Sequence, residues 1–191
     1  MKIGLFFGSF NPVHSGHLII AGYMAEFTDL DRVWFVVSPH NPLKEKSSLL
    51  ADHHRFQMVQ RSIEDNRKLK ASDIEFKMPQ PSYTIDTLTR LKSKYPAHTF
   101  VLIMGADNLL TFPKWRNYKQ IQEAHEIYVY ARKGTEYSDF PPQKGLKLIE
   151  SPIVELSSSF IRKAIKEKKD IRYMMPEPAH NYLKEMHFYE K

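Results

Sequence analysis

The chain has 191 residues, 42% hydrophobic and 26% charged, with no cysteine and a formal net charge of +6. That length suits one globular domain, expected over residues 1–191 and large enough to bury a real core. Missing cysteine excludes disulfides, thiolate metal sites and cysteine nucleophiles; no apolar run is long enough to cross a bilayer; and the basic balance favours anionic ligands, whether a nucleic-acid backbone or small polyphosphates.

The opening Met1-Lys-Ile-Gly-Leu-Phe-Phe-Gly8 is punctuated too quickly for a signal peptide and reads as a strand over 3–7. A cytoplasmic location is the corresponding expectation. Further along, 33–37, 100–104 and 127–131 are short, apolar and rich in β-branched or aromatic residues, so they read as strands, with 70–76 as a weaker one. Helical patterns fill 18–27, 51–63, 85–94, 160–168 and 179–186. Alternating strand and helix implies βαβ crossovers: an α/β fold with a doubly wound parallel sheet, helices on both faces and a small C-terminal helical part. Ligands of such sheets bind beyond the carboxyl ends of the strands.

After the first predicted strand comes Gly8-Ser-Phe-Asn-Pro-Val-His14-Ser-Gly-His17, then a helix. Gly8 and Gly16 carry no Cβ to obstruct a ligand. The helix start offers unpaired N–H groups and a partial positive charge. His14 and His17 stand three apart and can donate to the same phosphates. The string is neither a G-x-x-x-x-G-K-[ST] loop nor a G-x-G-x-x-G fingerprint. Two histidines alone are better explained by a plain strand–turn–helix with surface histidines, and a zinc site lacks a third and fourth ligand.

The second strand leads into Ser38-Pro-His-Asn-Pro-Leu-Lys44, a loop stiffened by Pro39 and Pro42 that projects a lysine. Arg55 and Met58 follow on a helix placed to back this loop, with Arg55 structural rather than catalytic. In Pro79-Gln-Pro-Ser-Tyr-Thr-Ile-Asp-Thr-Leu88 two prolines set an extended approach, Thr84 is placed to cap the next helix, and Asp86 suits its positive end. Met104-Gly-Ala-Asp-Asn-Leu-Leu-Thr-Phe-Pro-Lys-Trp115 offers a close approach at Gly105, a ribose-hydroxyl acceptor at Asp107 and a flat ring at Trp115, although a tryptophan on its own is more often core. Finally, Leu156-Ser-Ser-Ser-Phe-Ile-Arg162 opens an amphipathic helix whose serine hydroxyls and guanidinium share the positive end, a geometry suited to phosphate or to simple capping.

Taken together, these segments resemble a known family. His14-x-Gly-His17 is similar to the (T/H)-x-G-H signature of the nucleotidyltransferase superfamily, which has a Rossmann-like fold. Pro-Ser-Tyr83-Thr84-x-Asp-Thr-Leu, Gly105-x-Asp107 with Trp115, and Leu156-Ser-Ser-Ser-Phe-Ile-Arg162 resemble the corresponding segments of the nicotinate mononucleotide adenylyltransferases, and Arg172-Tyr-Met-Met-Pro176 resembles their structural C-terminal Arg-Tyr-x-x-Pro. The loop ending at Lys44 is similar to their Pro-Pro-His-Lys loop, except that Asn41, Pro42 and Leu43 intervene between His40 and the lysine. Leu156 and Ser159 are mild departures, and Ser159 keeps the hydroxyl. The matching segments span residues 8–176.

The resemblance implies transfer of the adenylyl group of ATP to nicotinate mononucleotide, giving nicotinate adenine dinucleotide and pyrophosphate in NAD biosynthesis. It implies catalytic roles for His14, His17, Lys44 and Arg162. ATP contacts fall on Gly8, Ser9, Phe10, His14, Gly16, His17, Ser157, Ser158, Ser159 and Arg162. The nicotinate nucleotide falls to Tyr83, Thr84, Gly105, Asp107, Trp115 and Arg132. No acidic cluster would cage a metal, so Mg²⁺ is expected to arrive with ATP. The partners expected are ATP and nicotinate mononucleotide, with no nucleic acid and no membrane; the oligomeric state, homo-oligomer included, stays open. Competing readings are the same transfer to nicotinamide mononucleotide, adenylyl transfer to pantetheine phosphate, which leaves Trp115 and Tyr83 unexplained, and a non-catalytic nucleotide- or RNA-binding module. The scattered lysines and arginines form no basic arm that would favour RNA.

Overall fold

The computed structural model describes residues 1–39, 49–134 and 145–190. Six strands, β1 (Lys2–Gly8), β2 (Arg32–Val37), β3 (Leu69–Ser72), β4 (Thr99–Gly105), β5 (Ile127–Tyr130) and β6 (Leu146–Ile149), form one sheet in the order β3-β2-β1-β4-β5-β6. Every neighbouring pair is parallel. Seven helices accompany them: α1 (Ser15–Phe27), α2 (Asp52–Ile63), α3 (Thr84–Lys94), α4 (Ala106–Thr111), α5 (Tyr118–Ala124), α6 (Ser158–Lys166) and α7 (Glu177–Glu185).

Side chains alternate across each strand, and both faces are apolar, which is why the strands read as continuous hydrophobic runs. One face carries Phe6, Val33, Phe35, Val37, Val101, Ile103, Tyr128 and Tyr130 against α1, α2, α6 and α7, through residues such as Met24, Met58, Ile161 and Leu183. The other carries Ile3, Leu5, Trp34, Val36, Leu102, Met104 and Val129 against α3, α4 and α5, through Leu88, Leu109 and Ile121. The small C-terminal helical part therefore packs on the same sheet face as α1 and α2.

The strand order reverses between β1 and β4, which opens a crevice beyond Gly8 and Gly105. At the opposite end of the sheet a closed ionic knot ties three segments. Lys2 Nζ reaches Asp29 Oδ2 at 2.8 Å, Glu126 Oε1 at 2.7 Å and the Tyr128 hydroxyl at 2.9 Å. Tyr128 in turn donates to Asp29.

Three sequence expectations shift. β3 stops at Ser72 instead of running to 76, because the chain turns there: Phe76 N–H bonds the Asp73 carbonyl at 2.9 Å and Met78 N–H the Glu75 carbonyl at 3.1 Å. β6, α4 and α5 were not anticipated. Thr84 does not cap α3: the N-cap is Tyr83, without a side-chain cap bond, and Thr84 is the first helical residue.

Candidate active site

The segment from Gly8 to His17 leaves β1, crosses the crevice and enters α1. Both of its glycines are required by protein groups. A Cβ on Gly8 would lie 2.8 Å from the Phe10 ring, and one on Gly16 would lie 3.0 Å from both His14 Nδ1 and Val154 Cγ1. Phe10 adopts φ 45°, in the left-handed region, which turns its ring into the core against Phe6 (5.8 Å), Phe35 (5.3 Å) and His17 (5.0 Å). The absence of a Cβ at Gly8 and Gly16 thus seats the Phe10 and His14 side chains.

His14 and His17 stack, with ring centroids 3.6 Å apart and planes 27° from parallel. The His14 N–H donates to His17 Nδ1 at 3.2 Å, so the His17 ring carries its proton on Nε2. His14 is 4% exposed, and its side chain faces the His17 backbone N–H in a reciprocal capping box at the start of α1. Burial, reinforced by the charge of Arg132, lowers the His14 pKa to about 4. The ring is therefore neutral at pH 7 and presents an N–H donor. The cleft beside the pair has apolar walls of Phe6, Ile20, Tyr130, Val154 and Leu156, and Arg132 stands on its rim.

A stability consequence follows from the low His14 pKa. In the unfolded chain the ring titrates near 6.5; in the folded protein it does so at about 4. The unfolded state binds more protons between those values. This contribution is therefore fully present above the unfolded value and is lost as pH falls toward the folded one, by roughly 3 kcal/mol in total. Urea unfolding of wild type and His14→Gln between pH 7.5 and 4.5 checks this: the wild type should lose stability more steeply, and parallel curves would refute it.

The serine-arginine helix closes on the same loop. Ser157 caps α6 by accepting from Phe160 N–H at 3.2 Å. Ser158 donates to the Pro12 carbonyl at 2.8 Å. Arg162 places Nη1 2.7 Å from the Asn11 carbonyl and Nη2 3.3 Å from Ser159 Oγ. Two of the three serines are thus engaged in capping and docking, and the guanidinium is fixed at the mouth of the loop.

Arg55 is structural, as the sequence indicated. It is fully buried and donates to the carbonyls of Ser9 (2.5 Å), Ser38 (2.8 Å), Pro39 (3.0 Å) and Leu50 (2.8 Å), and to Asp52 (2.6 Å). It therefore joins the loops after β1 and β2. Lys44 lies outside the described residues.

The residues expected to meet the nicotinate nucleotide lie around the start of α3, at the β4–α4 junction, at Trp115 beyond α4 and at Arg132 just after β5. Tyr83 and Trp115 are half-buried against the same apolar cluster, and Trp115 meets Phe112 edge-on at 5.5 Å. Glu75, 2% exposed, holds the approach to α3 by accepting from Ser82 Oγ at 2.9 Å and Thr87 Oγ1 at 2.7 Å. At Gly105 a Cβ would collide with the Asp107 carboxylate and sit 3.1 Å from Arg132 Nε. Asp107 Oδ1 is 3.6 Å from Arg132 Nε, so Arg132 meets both the histidine cleft and the first turn of α4. Sequence reasoning missed Arg116: its guanidinium lies 4.8 Å from the Tyr83 ring centre and 3.8 Å from Asp86. Its position next to Trp115 was the available signal.

Among the described residues no three His, Asp or Glu side chains cluster so as to hold a metal, and no helix is long and apolar enough to cross a membrane.

Comparison with known proteins gives the family. A cytidylyltransferase-like family model matches residues 5–164. A probable nicotinate-nucleotide adenylyltransferase of Flavobacterium johnsoniae is 57% identical, with 100% of both chains covered, and its counterpart in Flavobacterium psychrophilum is 53% identical, again over 100% of each. In fold, the chain resembles Plasmodium falciparum nicotinic acid mononucleotide adenylyltransferase complexed with NaAD, with a TM-score of 0.84 at 21% identity over 99% of this chain and 97% of that one. Full-length identity at this level, joined to the histidine loop and the serine-arginine helix, places the chain in the nicotinate-nucleotide adenylyltransferase family of cytidylyltransferase-like proteins.

Proposed function

We propose that the protein joins ATP and nicotinate mononucleotide into nicotinate adenine dinucleotide, with release of pyrophosphate. The observation that carries this reading is the neutral, buried His14 stacked on His17 at the strand switch point, faced by an Arg162 that is already anchored to the same loop. An oxygen of the 5′-phosphate of nicotinate mononucleotide attacks the α-phosphorus of ATP. The bond from that phosphorus to the bridging oxygen breaks, and pyrophosphate leaves with the electron pair. No covalent enzyme intermediate forms. Both reactants are anions, so the protein's task is to align them and offset their charge.

In this reading His14 and His17 donate to the transferred phosphate, Arg162 holds the leaving pyrophosphate, and Lys44 adds charge from its loop. Magnesium would accompany ATP as MgATP and would offset charge on its phosphates. Reaction in the cytoplasm, with no nucleic acid or membrane involved, completes the proposal. Mixing the protein with MgATP and nicotinate mononucleotide should release pyrophosphate; none, with both histidines intact, would sink the reading.

The second nucleotide is assigned to Tyr83, Thr84, Gly105, Asp107 and Trp115, with Arg132 serving both substrates. Trp115 supplies a stacking face, and Trp115→Ala should raise KM for nicotinate mononucleotide about tenfold while leaving KM for ATP unchanged. Arg116 adds a guanidinium beside Tyr83 that favours a carboxylate over an amide. Arg116→Gln should therefore lower kcat/KM for nicotinate mononucleotide about tenfold and spare the value for nicotinamide mononucleotide. Equal losses for both nucleotides would remove Arg116 from acid selection.

A further inference from the structure

The last turn of the chain reaches into the phosphate loop. Tyr189 donates its hydroxyl to Asn11 Oδ1 at 2.6 Å, and Leu50 N–H donates to the same oxygen at 3.1 Å. Asn11 is 2% exposed. Its backbone carbonyl is the acceptor that fixes Arg162 at 2.7 Å. One buried residue of the loop thus takes donors from the Leu50 segment, from α6 and from the C-terminal tail.

The tail is built to deliver that hydroxyl. Phe188 is buried and packs on His54 at 4.7 Å and Tyr182 at 5.7 Å. His187 and Tyr189 both adopt left-handed backbone conformations, φ 52° and 65°, each costing about 1 kcal/mol or more for a residue with a Cβ. Burial pushes the Tyr189 phenol upward, so it holds its proton and acts as the donor.

We propose that Tyr189 is a positioning residue for adenylyl transfer: through Asn11 it holds the Gly8–His17 loop in register with Arg162. The inference rests on the adenylyltransferase reading above. It touches no substrate, so its effect should appear in turnover more than in binding of the second nucleotide.

Tyr189→Phe keeps the ring and removes only the hydroxyl. It should lower kcat about tenfold with KM for nicotinate mononucleotide within about twofold of wild type and only a small change in melting temperature. Asn11→Ala should lower kcat in the same way, and the double variant should fall no further than the more impaired single one. Unchanged kcat in Tyr189→Phe, multiplicative losses in the double variant, or failure of Tyr189→Phe to fold would each overturn the proposal. Wild type that releases no pyrophosphate would instead overturn the adenylyltransferase reading.

Discussion

His14→Ala should lower the rate of pyrophosphate release by about 10²–10³-fold, and His17→Ala by a comparable factor. The size of the effect comes from the site's dryness. His14 is 4% exposed, and a donor aimed at developing charge in a water-poor setting is worth far more than one in water. Neutrality matters as much. Because burial lowers the His14 pKa to about 4, the ring does not change charge near neutral pH and would meet a phosphate as a fixed dipole. His17 is oriented by the N–H of His14 at 3.2 Å, and the rings touch at 3.6 Å between centroids, so the two act as a unit. The double variant should therefore lose less than the product of the single losses. Steady-state rates at saturating MgATP, with far-UV circular dichroism confirming the fold, give the answer. Retention of more than about a tenth of wild-type kcat in both single variants would exclude the histidines from the chemistry.

Arg55→Met should cost roughly 3–5 kcal/mol of folding stability, the largest loss expected from a residue outside the chemistry. Methionine fills much of the same volume and donates nothing. The carbonyls of Ser9, Ser38, Pro39 and Leu50 would lose their guanidinium donor, and Asp52 would lose its partner. Burial lowers the Arg55 pKa while Asp52 raises it; an arginine starts so high that it stays charged. Arg55→Lys keeps the charge but has a single head that cannot serve five acceptors, so it should recover only part of the loss. Urea unfolding measures both. A cost below about 1 kcal/mol for Arg55→Met would mean that water replaces the guanidinium, and the fork would no longer explain how the two loops are held together.

The central strands were legible because burial on both faces leaves an uninterrupted apolar run, as in β1, β2, β4 and β5. β6 was not, because it lies at the sheet edge and its Leu-Lys-Leu-Ile is only partly buried. α4 and α5, of 6 and 7 residues, are too short to show a helical period. In the site, motif residues separated by a few positions could be read: the two histidines, the serines with Arg162, the Trp115 loop. Contacts across long stretches could not. A lone acidic residue such as Glu75 reads as solvated until Ser82 and Thr87 are seen to face it, and no spacing rule connects Tyr189 with Asn11.

The anchoring of Asn11 also bears on how the protein is made. Its partners lie 39, 151 and 178 positions further along the chain. During translation β1 and β2 can pair early, yet the loop between them waits for Leu50, then Arg162, then Tyr189 to emerge from the ribosome. The loop is therefore fully anchored only after Tyr189 has emerged, and a nascent chain stalled before that point would hold its six strands with Asn11 still short of a partner.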